Sequence, residues 1–168
     1  MKQNSFISLD FVERTDDEMI TRSAEFLQLI QQRRSVRDYS AREIPRQVIE
    51  NAIRAAGSAP SGANMQPWHF VVVTDSAVRA RIRDAAEQEE HEFYNHRASA
   101  EWLEAVAPLG TDESKPFLET ASCLIVIFLK KSSFNASGKQ FKNYYTMESV
   151  GIASGFLIAA LHLSLIHI

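Results

Sequence analysis

The chain has 168 residues, of which 45% are hydrophobic and 23% charged, and its formal net charge is −3. This length allows one domain or little more, and ten Phe, two Trp and four Tyr argue against disorder. The charge argues against a general nucleic-acid-binding protein. A single Cys cannot form an internal disulfide, and residues 1–20 lack the pattern of a secretory signal. We therefore expect a soluble, cytoplasmic protein.

The first third of the sequence predicts two helices. Thr15 and Glu18 have the spacing of a capping box, and apolar residues follow at helical spacing to about Gln32. A second helix is predicted to begin at Pro45, because the missing N–H of proline costs nothing in a first turn. Gly57 is placed to end that helix.

The middle of the chain predicts a loop, a strand and a helix. Residues 58–67 contain two of the five prolines and Gly62, which is typical of a loop. Phe70 to Val73 is a short β-branched run that predicts a fully buried strand. Asp75 or Ser76 is placed to cap a third helix.

The last third predicts a second buried strand, from Cys123 to Leu129, and a loop from Ser132 to Gly138. Inside that strand Cys123 is expected to act as a small hydrophobic residue. From about Lys142 a long helix is expected to run to the end of the chain. Helices interleaved with buried strands predict an α/β or α+β domain.

The segment from Ser149 to Ile168 holds no charged residue and is long enough to span a bilayer. Gly151 and Gly155 also have the spacing of a membrane helix-dimer motif. The alternative is a core helix of a soluble domain, buried on all sides. We favour the core helix because Ser and His residues interrupt the run and no basic residue follows it.

An arginine-rich segment follows the first helix and contains Arg33, Arg34, Ser35 and Arg37. Three guanidinium groups and a hydroxyl can converge on one doubly charged anion, since arginine makes bidentate bonds to phosphate. A solvated basic helix end, which complements the helix dipole, explains the same residues. The spacing leaves both interpretations open.

A second candidate is the small-residue turn Pro60–Trp68. Its small side chains let a ligand approach the backbone, so the N–H groups of Gly62 and Ala63 can face an acceptor. Asn64 and Gln66 carry donors and acceptors suited to the edge of a heterocycle. Taken alone, the segment is more typical of a surface turn that leads into a strand.

Together, Arg-Arg-Ser-x-Arg and Ala-Pro-Ser-Gly-Ala-Asn-Met-Gln-Pro-Trp resemble motifs of the nitroreductase superfamily of FMN-dependent dimeric flavoproteins. The resemblance extends from about Phe6 to about His162 and includes Tyr144-Tyr145-x-x-Glu148-Ser149. Within the superfamily the chain is most similar to the iodotyrosine deiodinases. The resemblance implies an α+β fold, a three-layer α-β-α sandwich, that is incomplete at its C-terminus.

The resemblance also assigns roles to residues. Four would hold the FMN phosphate and the flavin edge: Arg33, Arg34, Ser35 and Arg37. Three would contact the flavin from the other subunit of a homodimer: Pro60, Ser61 and Gly62. The backbone N–H of Ala63 would receive the phenolate of the substrate.

The acidic stretch supplies a further candidate group. Glu90 and Tyr94 are four residues apart, so they are predicted to share one face of the third helix, and Lys115 follows 21 residues later. The resemblance implies that these three residues hold the amino-acid end of a halotyrosine zwitterion and exclude water. An exposed acidic helix with a nearby loop lysine is the alternative. General nitroreductases lack this triad, so its presence favours a deiodinase over a general nitroreductase.

The reaction implied is reductive removal of iodide from mono- or diiodotyrosine, with FMN as cofactor and NAD(P)H as a transient reductant. No nucleic acid or membrane is expected to take part. No metal is expected either, since His91 and His96 are five residues apart and off a common helix face. A general nitro or quinone reductase is the alternative activity.

A third alternative is an inactive fragment. Members of the superfamily continue past this point with a strand, an Arg and a C-terminal extension that contact the flavin or the partner subunit. We therefore expect a single truncated domain, in which residues 163–168 are a non-native tail.

Overall fold

The computed structural model describes residues 8–164, and the chain divides into two compact units between Arg34 and Ser35. The first unit contains helix α1 (Asp16–Gln31). Its predicted capping box is confirmed: the Thr15 hydroxyl accepts from the Glu18 amide at 3.3 Å, and the Glu18 carboxylate accepts from the Thr15 amide at 3.0 Å.

Between residues 35 and 164, the second unit contains five further α-helices and four strands. The helices are α2 (Arg46–Gly57), α3 (Ser76–Glu92), α4 (Ala100–Val106), α5 (Phe117–Thr120) and α6 (Thr146–Leu163). The strands are β1 (Trp68–Val73), β2 (Leu124–Leu129), β3 (Ser132–Phe134) and β4 (Gln140–Lys142). The predicted α+β class is confirmed.

The predicted starts of the first three helices hold to within a residue. The prediction for the last helix was wrong by about four residues: α6 begins at Thr146, because Lys142 belongs to β4. Helix α2 begins one residue later than predicted, because Pro45 lies at the N-cap and not in the first turn. Helix α3 begins as expected, with the Asp75 carboxylate accepting the Val78 amide at 2.9 Å.

Strands β1 and β2 pair antiparallel, with Phe70 opposite Ile127. The prediction that both strands are fully buried was wrong: Val72 and Phe128 are exposed, and most other strand residues are only partly buried. On the covered face, Phe70 and Ile127 pack against the core formed by α2 and α6. An uninterrupted apolar run therefore does not by itself reveal that a strand is covered on both faces.

A hairpin lies where the sequence predicted a loop. Strands β3 and β4 pair antiparallel around a turn in which Gly138 has φ +78°. The Asn135 side chain accepts the amides of Ser137 at 3.1 Å and Lys139 at 2.9 Å, which closes the turn. The prediction failed because the strands are only three residues long, too short to show alternation.

Helix α6 contributes to both clusters of the core. Leu157 packs with Ala52 and Ala56 of α2, and Ala153 packs with Ala59 and Trp68. The small residues on this face allow close approach of the helices.

The prediction that α6 is buried on all sides was wrong. Several of its apolar side chains are exposed, among them Ile152, Phe156 and Ile158. By length and composition alone α6 could cross a membrane, a criterion that core helices of soluble proteins also meet. Of the predicted non-native tail, residues 165–168 lie outside the described residues, and Leu163 is the last residue of α6.

Candidate functional site

The arginine-rich segment spans the boundary between the two units, with Arg33 and Arg34 in the first and Ser35 and Arg37 in the second. All four residues are exposed. The Arg34 guanidinium donates to the carbonyls of Gln31 at 2.6 Å and Arg33 at 2.9 Å, at the end of α1. This contact matches the helix-end interpretation for Arg34. Convergence of the four residues on one anion stays a prediction.

We call residues 60–67 the glycine loop. It contains a single 3₁₀ turn, Gly62–Asn64, and the Ser61 hydroxyl accepts the Gln66 amide at 2.9 Å. Three residues that are not glycine have positive φ: Ala63 (50°), Asn64 (54°) and Gln66 (45°). Each such residue costs about 1–2 kcal/mol. The conformation therefore persists only where surrounding contacts enforce it.

Contacts with the start of α6 enforce this conformation. The Gly62 amide donates to the buried Ser149 hydroxyl at 3.2 Å, which in turn donates to the Tyr145 carbonyl at 2.5 Å. The Tyr144 amide donates to the Met65 sulfur at 3.3 Å. A Cβ added at Gly62 would lie 2.6 Å from the Tyr145 ring, so the close approach of the two segments requires glycine here.

These contacts change the expected donor set of the loop. The Gly62 N–H donates to the Ser149 hydroxyl in this structure, and contact of Pro60, Ser61 and Gly62 with a flavin stays a prediction. The Ala63 N–H makes no hydrogen bond to any residue between 8 and 164, and Ala63 is exposed. One of the two predicted backbone donors is therefore available to a ligand.

The structure brings Glu90, Tyr94 and Lys115 together. The Lys115 ammonium (Nζ) lies 3.3 Å from the Glu90 carboxylate and 5.7 Å from the centre of the Tyr94 ring. It also donates to the carbonyl of Asp112. Only 13% of the Lys115 side chain is exposed, against 37% for Glu90. A lysine this enclosed needs a close anionic partner.

The sequence predicted that Tyr94 lies on α3, and this was wrong. The α-helix ends at Glu92 and continues as a single π-helical turn, Phe93–Arg97. Four-residue spacing therefore does not by itself account for the meeting of Glu90 and Tyr94. Their shared neighbour is Lys115, which contacts both.

Sequence reasoning missed the aromatic residue beside Tyr94. Trp102 packs edge-on against Tyr94, with ring centres 5.5 Å apart, and against Phe93 at 4.9 Å. Trp102 lies on α4, where the Ser99 hydroxyl accepts the Trp102 amide at 3.2 Å. A serine three residues before a tryptophan was the available signal for the start of this helix.

A carboxylate on α3 holds the backbone of Lys115, and sequence reasoning missed it as well. The Glu87 carboxylate accepts the Lys115 amide at 2.7 Å and the Arg83 guanidinium at 2.9 Å. Arg83 also pairs with Glu119 on α5 at 3.0 Å. The hydrogen bond from Arg83, followed by that from the Lys115 amide, lowers the pKa of Glu87. The same pairing raises the pKa of Arg83.

Cys123 lies directly before β2 and is partly buried. Burial is the largest effect on its thiol and raises its pKa, against a smaller opposing effect of the Arg79 charge. A raised pKa disfavours the thiolate, the form in which cysteine acts as a nucleophile.

The sequence matches the profile of the nitroreductase family over residues 30–163. It is 53% identical to an iodotyrosine deiodinase from Haliscomenobacter hydrossis, in an alignment that covers 96% of this chain and 73% of that protein. It is 46% identical to human iodotyrosine deiodinase 1 over 87% of this chain and 50% of that protein. The chain thus spans only about half the length of the human relative.

Solved structures of the same family have a similar fold. A crystal structure of oxidized iodotyrosine deiodinase bound to FMN and 3-iodo-L-tyrosine superposes with a TM-score of 0.73 and 30% identity, over 83% of this chain and 70% of that one. An FMN-dependent nitroreductase from Clostridium difficile superposes with a TM-score of 0.59 and 25% identity, over 84% of this chain and 57% of that one.

Proposed function

The chain belongs to the nitroreductase family and is a homologue of iodotyrosine deiodinases, and from this premise we propose that it removes iodide reductively from mono- and diiodotyrosine, giving tyrosine and iodide. The observation that carries the proposal is the meeting of Glu90, Tyr94 and Lys115. Its three groups offer one negative charge, one positive charge and a phenol, a set that complements an amino-acid zwitterion.

Substrate binding would exchange partners within this group. The substrate ammonium pairs with Glu90 and the substrate carboxylate pairs with Lys115, replacing the 3.3 Å ion pair between the two side chains. Ligands with only one of the two charges would leave Glu90 or Lys115 without a partner, which is costly for the enclosed lysine. The arrangement therefore favours the intact amino acid.

The glycine loop would bind the other end of the substrate. The N–H of Ala63, which has no partner among residues 8–164, is a donor for a phenolate oxygen, and a hydrogen bond to the charged form favours ionisation of the phenol. The donors of this segment and the exposed guanidinium of Arg37 also suit FMN, whose phosphate is anionic. When bound and reduced, FMN would supply the two electrons that, with one proton, replace a carbon–iodine bond by a carbon–hydrogen bond and release iodide, and NAD(P)H would reduce the flavin again.

A homodimer and a cytoplasmic location belong to the same proposal. The exposed apolar side chains of α6, which include Ile152 and Phe156, support a second copy as partner. The single cysteine and the absence of any internal disulfide are typical of a reducing compartment.

The test measures binding and iodide release with FMN-loaded protein. We expect 3-iodotyrosine to bind more tightly than 2-iodophenol, which lacks the amino-acid end, and dithionite-reduced protein to release iodide. The double variant Glu90→Gln with Lys115→Ala should weaken 3-iodotyrosine binding by about 100-fold, since each charge-assisted bond contributes about 1.5–3 kcal/mol. The control is Glu50→Gln on α2, which breaks only an exposed pair with Arg46.

Two results would contradict the proposal. Unchanged binding of 3-iodotyrosine by the double variant would remove its central observation, and a purified protein without flavin absorbance would remove the cofactor. The similarity to the Clostridium difficile nitroreductase favours a general nitro or quinone reductase as the second candidate. Rapid reduction of a nitroaromatic without iodide release would select that candidate.

A further inference from the structure

We propose that Glu87 is a positioning residue for substrate binding: it holds the backbone of Lys115 so that the lysine ammonium meets Glu90 and the substrate carboxylate. This inference rests on the proposed function, because it concerns the same amino-acid-binding group. Glu87 is not proposed as a substrate ligand, since its carboxylate already accepts bonds from Arg83 and the Lys115 amide.

The chain around Lys115 forms no helix or strand from residue 111 to residue 116. We call residues 112–119 the lysine segment; only its last part, from Phe117, is helical. The Lys115 amide donates to Glu87 at 2.7 Å, and the Ser114 amide donates to the Asp112 carboxylate at 3.0 Å within the segment. The bond to Glu87 is therefore the one that joins the Lys115 backbone to α3.

The spacing on α3 makes this bond useful. Glu87 and Glu90 are three residues apart, so they lie on the same face of the helix. Glu87 holds the backbone of Lys115, and Glu90 meets its ammonium at 3.3 Å. One helix face thus fixes both ends of the lysine, which sets where its charge lies.

Arg83 holds Glu87 in place. It lies one turn before Glu87, bonds to the same carboxylate oxygen that accepts the Lys115 amide, and pairs with Glu119 at 3.0 Å. Glu119 lies beyond Lys115 in the same segment. The resulting clamp grips the lysine segment at two points, Lys115 and Glu119, and both lead back to α3.

The first experiment measures hydrogen exchange of the protein without substrate. We expect Glu87→Ala to speed exchange of the Lys115 amide by about tenfold, since local protection depends on the bonds that an amide makes. The Val78 amide, which bonds to Asp75, is the internal control and should not change. An unchanged Lys115 amide would overturn the proposal.

The second experiment measures dissociation constants with FMN-loaded protein. We expect Glu87→Ala to weaken 3-iodotyrosine binding by about tenfold and to leave 2-iodophenol binding unchanged, because the loss is confined to the amino-acid end. Glu87→Gln keeps an acceptor for the Lys115 amide and should bind nearly as wild type. Glu50→Ala is the matched control, since it removes an Arg–Glu pair of the same spacing from α2.

A double-mutant cycle separates positioning from general destabilisation. On a Lys115→Ala background, Glu87→Ala should cost less than about threefold in 3-iodotyrosine affinity, because the charge that it positions is gone. Equal weakening of 3-iodotyrosine and 2-iodophenol by Glu87→Ala, or full additivity in the cycle, would overturn the proposal. Wild-type protein that binds no 3-iodotyrosine would instead overturn the proposed function, and this inference with it.

Discussion

The glycine loop and the lysine segment are held in place by different physics. In the glycine loop the backbone itself is constrained, with three left-handed residues and a Gly62 amide bonded to the buried Ser149 hydroxyl. The lysine segment is held by charged side chains near the surface, among them Glu87 and Arg83. Close packing tolerates little change, whereas surface charge pairs respond to salt and pH.

This difference suits the roles proposed for the two regions. A flavin and a phenolate need donors at fixed positions, because preorganised groups stabilise charge without rearranging. The amino-acid end of the substrate has to enter between Glu90 and Lys115, which requires an ion pair that can open. The comparison predicts that mutations in the glycine loop mainly affect stability, and mutations in the lysine segment mainly affect binding.

The largest expected effect is that of Gly62→Ala. The new Cβ would meet the Tyr145 ring at 2.6 Å and the Tyr144 carbonyl oxygen at 3.2 Å, so the two segments have to separate. We expect a loss of about 1–3 kcal/mol in the free energy of unfolding, measured by urea denaturation. Gly57→Ala is the control, because beyond its chain neighbours and the backbone of its own helix no atom lies within 4 Å of its Cβ position. Equal losses in the two variants would contradict a crowded backbone at Gly62.

The next effect in size is that of Ser149→Ala. This change leaves the partly buried Gly62 amide without its acceptor. We expect the free energy of unfolding to fall by no more than about 3 kcal/mol. Ser154→Ala on the same helix removes only a bond to the Val150 carbonyl and should cost less. Thermal denaturation of both variants measures the difference. Similar midpoints would show that the bond to Gly62 contributes little.

Features set by neighbouring residues could be predicted from the sequence, and features set by distant ones could not. The caps at Thr15 and Asp75 follow from spacings of three residues, so both were found. The bond between Gly62 and Ser149 joins residues 87 apart, and no local pattern reveals it. The exposure of apolar side chains on α6 likewise depends on what packs against the helix, since its composition is the same whether covered or not.

The candidate site divides in the same way. The spacing of Glu90 and Tyr94, joined with a family resemblance, singled out the residues that the structure brings to Lys115. The π-helical turn that carries Tyr94 has no sequence signature that helical periodicity detects. The Arg83–Glu87 pair did have a sequence signature, a spacing of four residues, but pairs with this spacing are common on helices. Only the bond from the Lys115 amide connects this pair to the site, and the sequence does not reveal that bond.

A smaller effect on stability is expected in the lysine segment. Lys115→Met keeps most of the side-chain stem and removes the charge, so it should change the free energy of unfolding by no more than about 1 kcal/mol. The same variant should lose 3-iodotyrosine binding, which separates it from Gly62→Ala. Urea denaturation beside a binding titration measures both quantities. A loss of stability as large as that of Gly62→Ala would abolish the distinction between the two regions.

The smallest effect is a dependence on pH that only the lysine segment should show. Arg83 and the Lys115 amide lower the pKa of Glu87 in the folded protein. The Glu87 carboxylate therefore stabilises the fold in full at pH values above the ordinary carboxyl pKa. This stabilisation is lost as the pH falls through the lowered value, since the carboxyl is then protonated in the folded and the unfolded state alike. The stability difference between wild type and Glu87→Gln should therefore shrink on acidification.

Ser149→Ala is the comparison for that titration, because neither a hydroxyl nor a backbone amide ionises in this range. Its cost should stay constant from neutral to acidic pH while the Glu87→Gln difference disappears, as long as both variants unfold in two states. If the two differences fell together, a general acid transition would be acting on the whole fold, and the glycine loop and the lysine segment would not be separately stabilised. If only the Glu87→Gln difference fell, the lysine segment would be held in place by charge, and the glycine loop would be held in place by backbone packing.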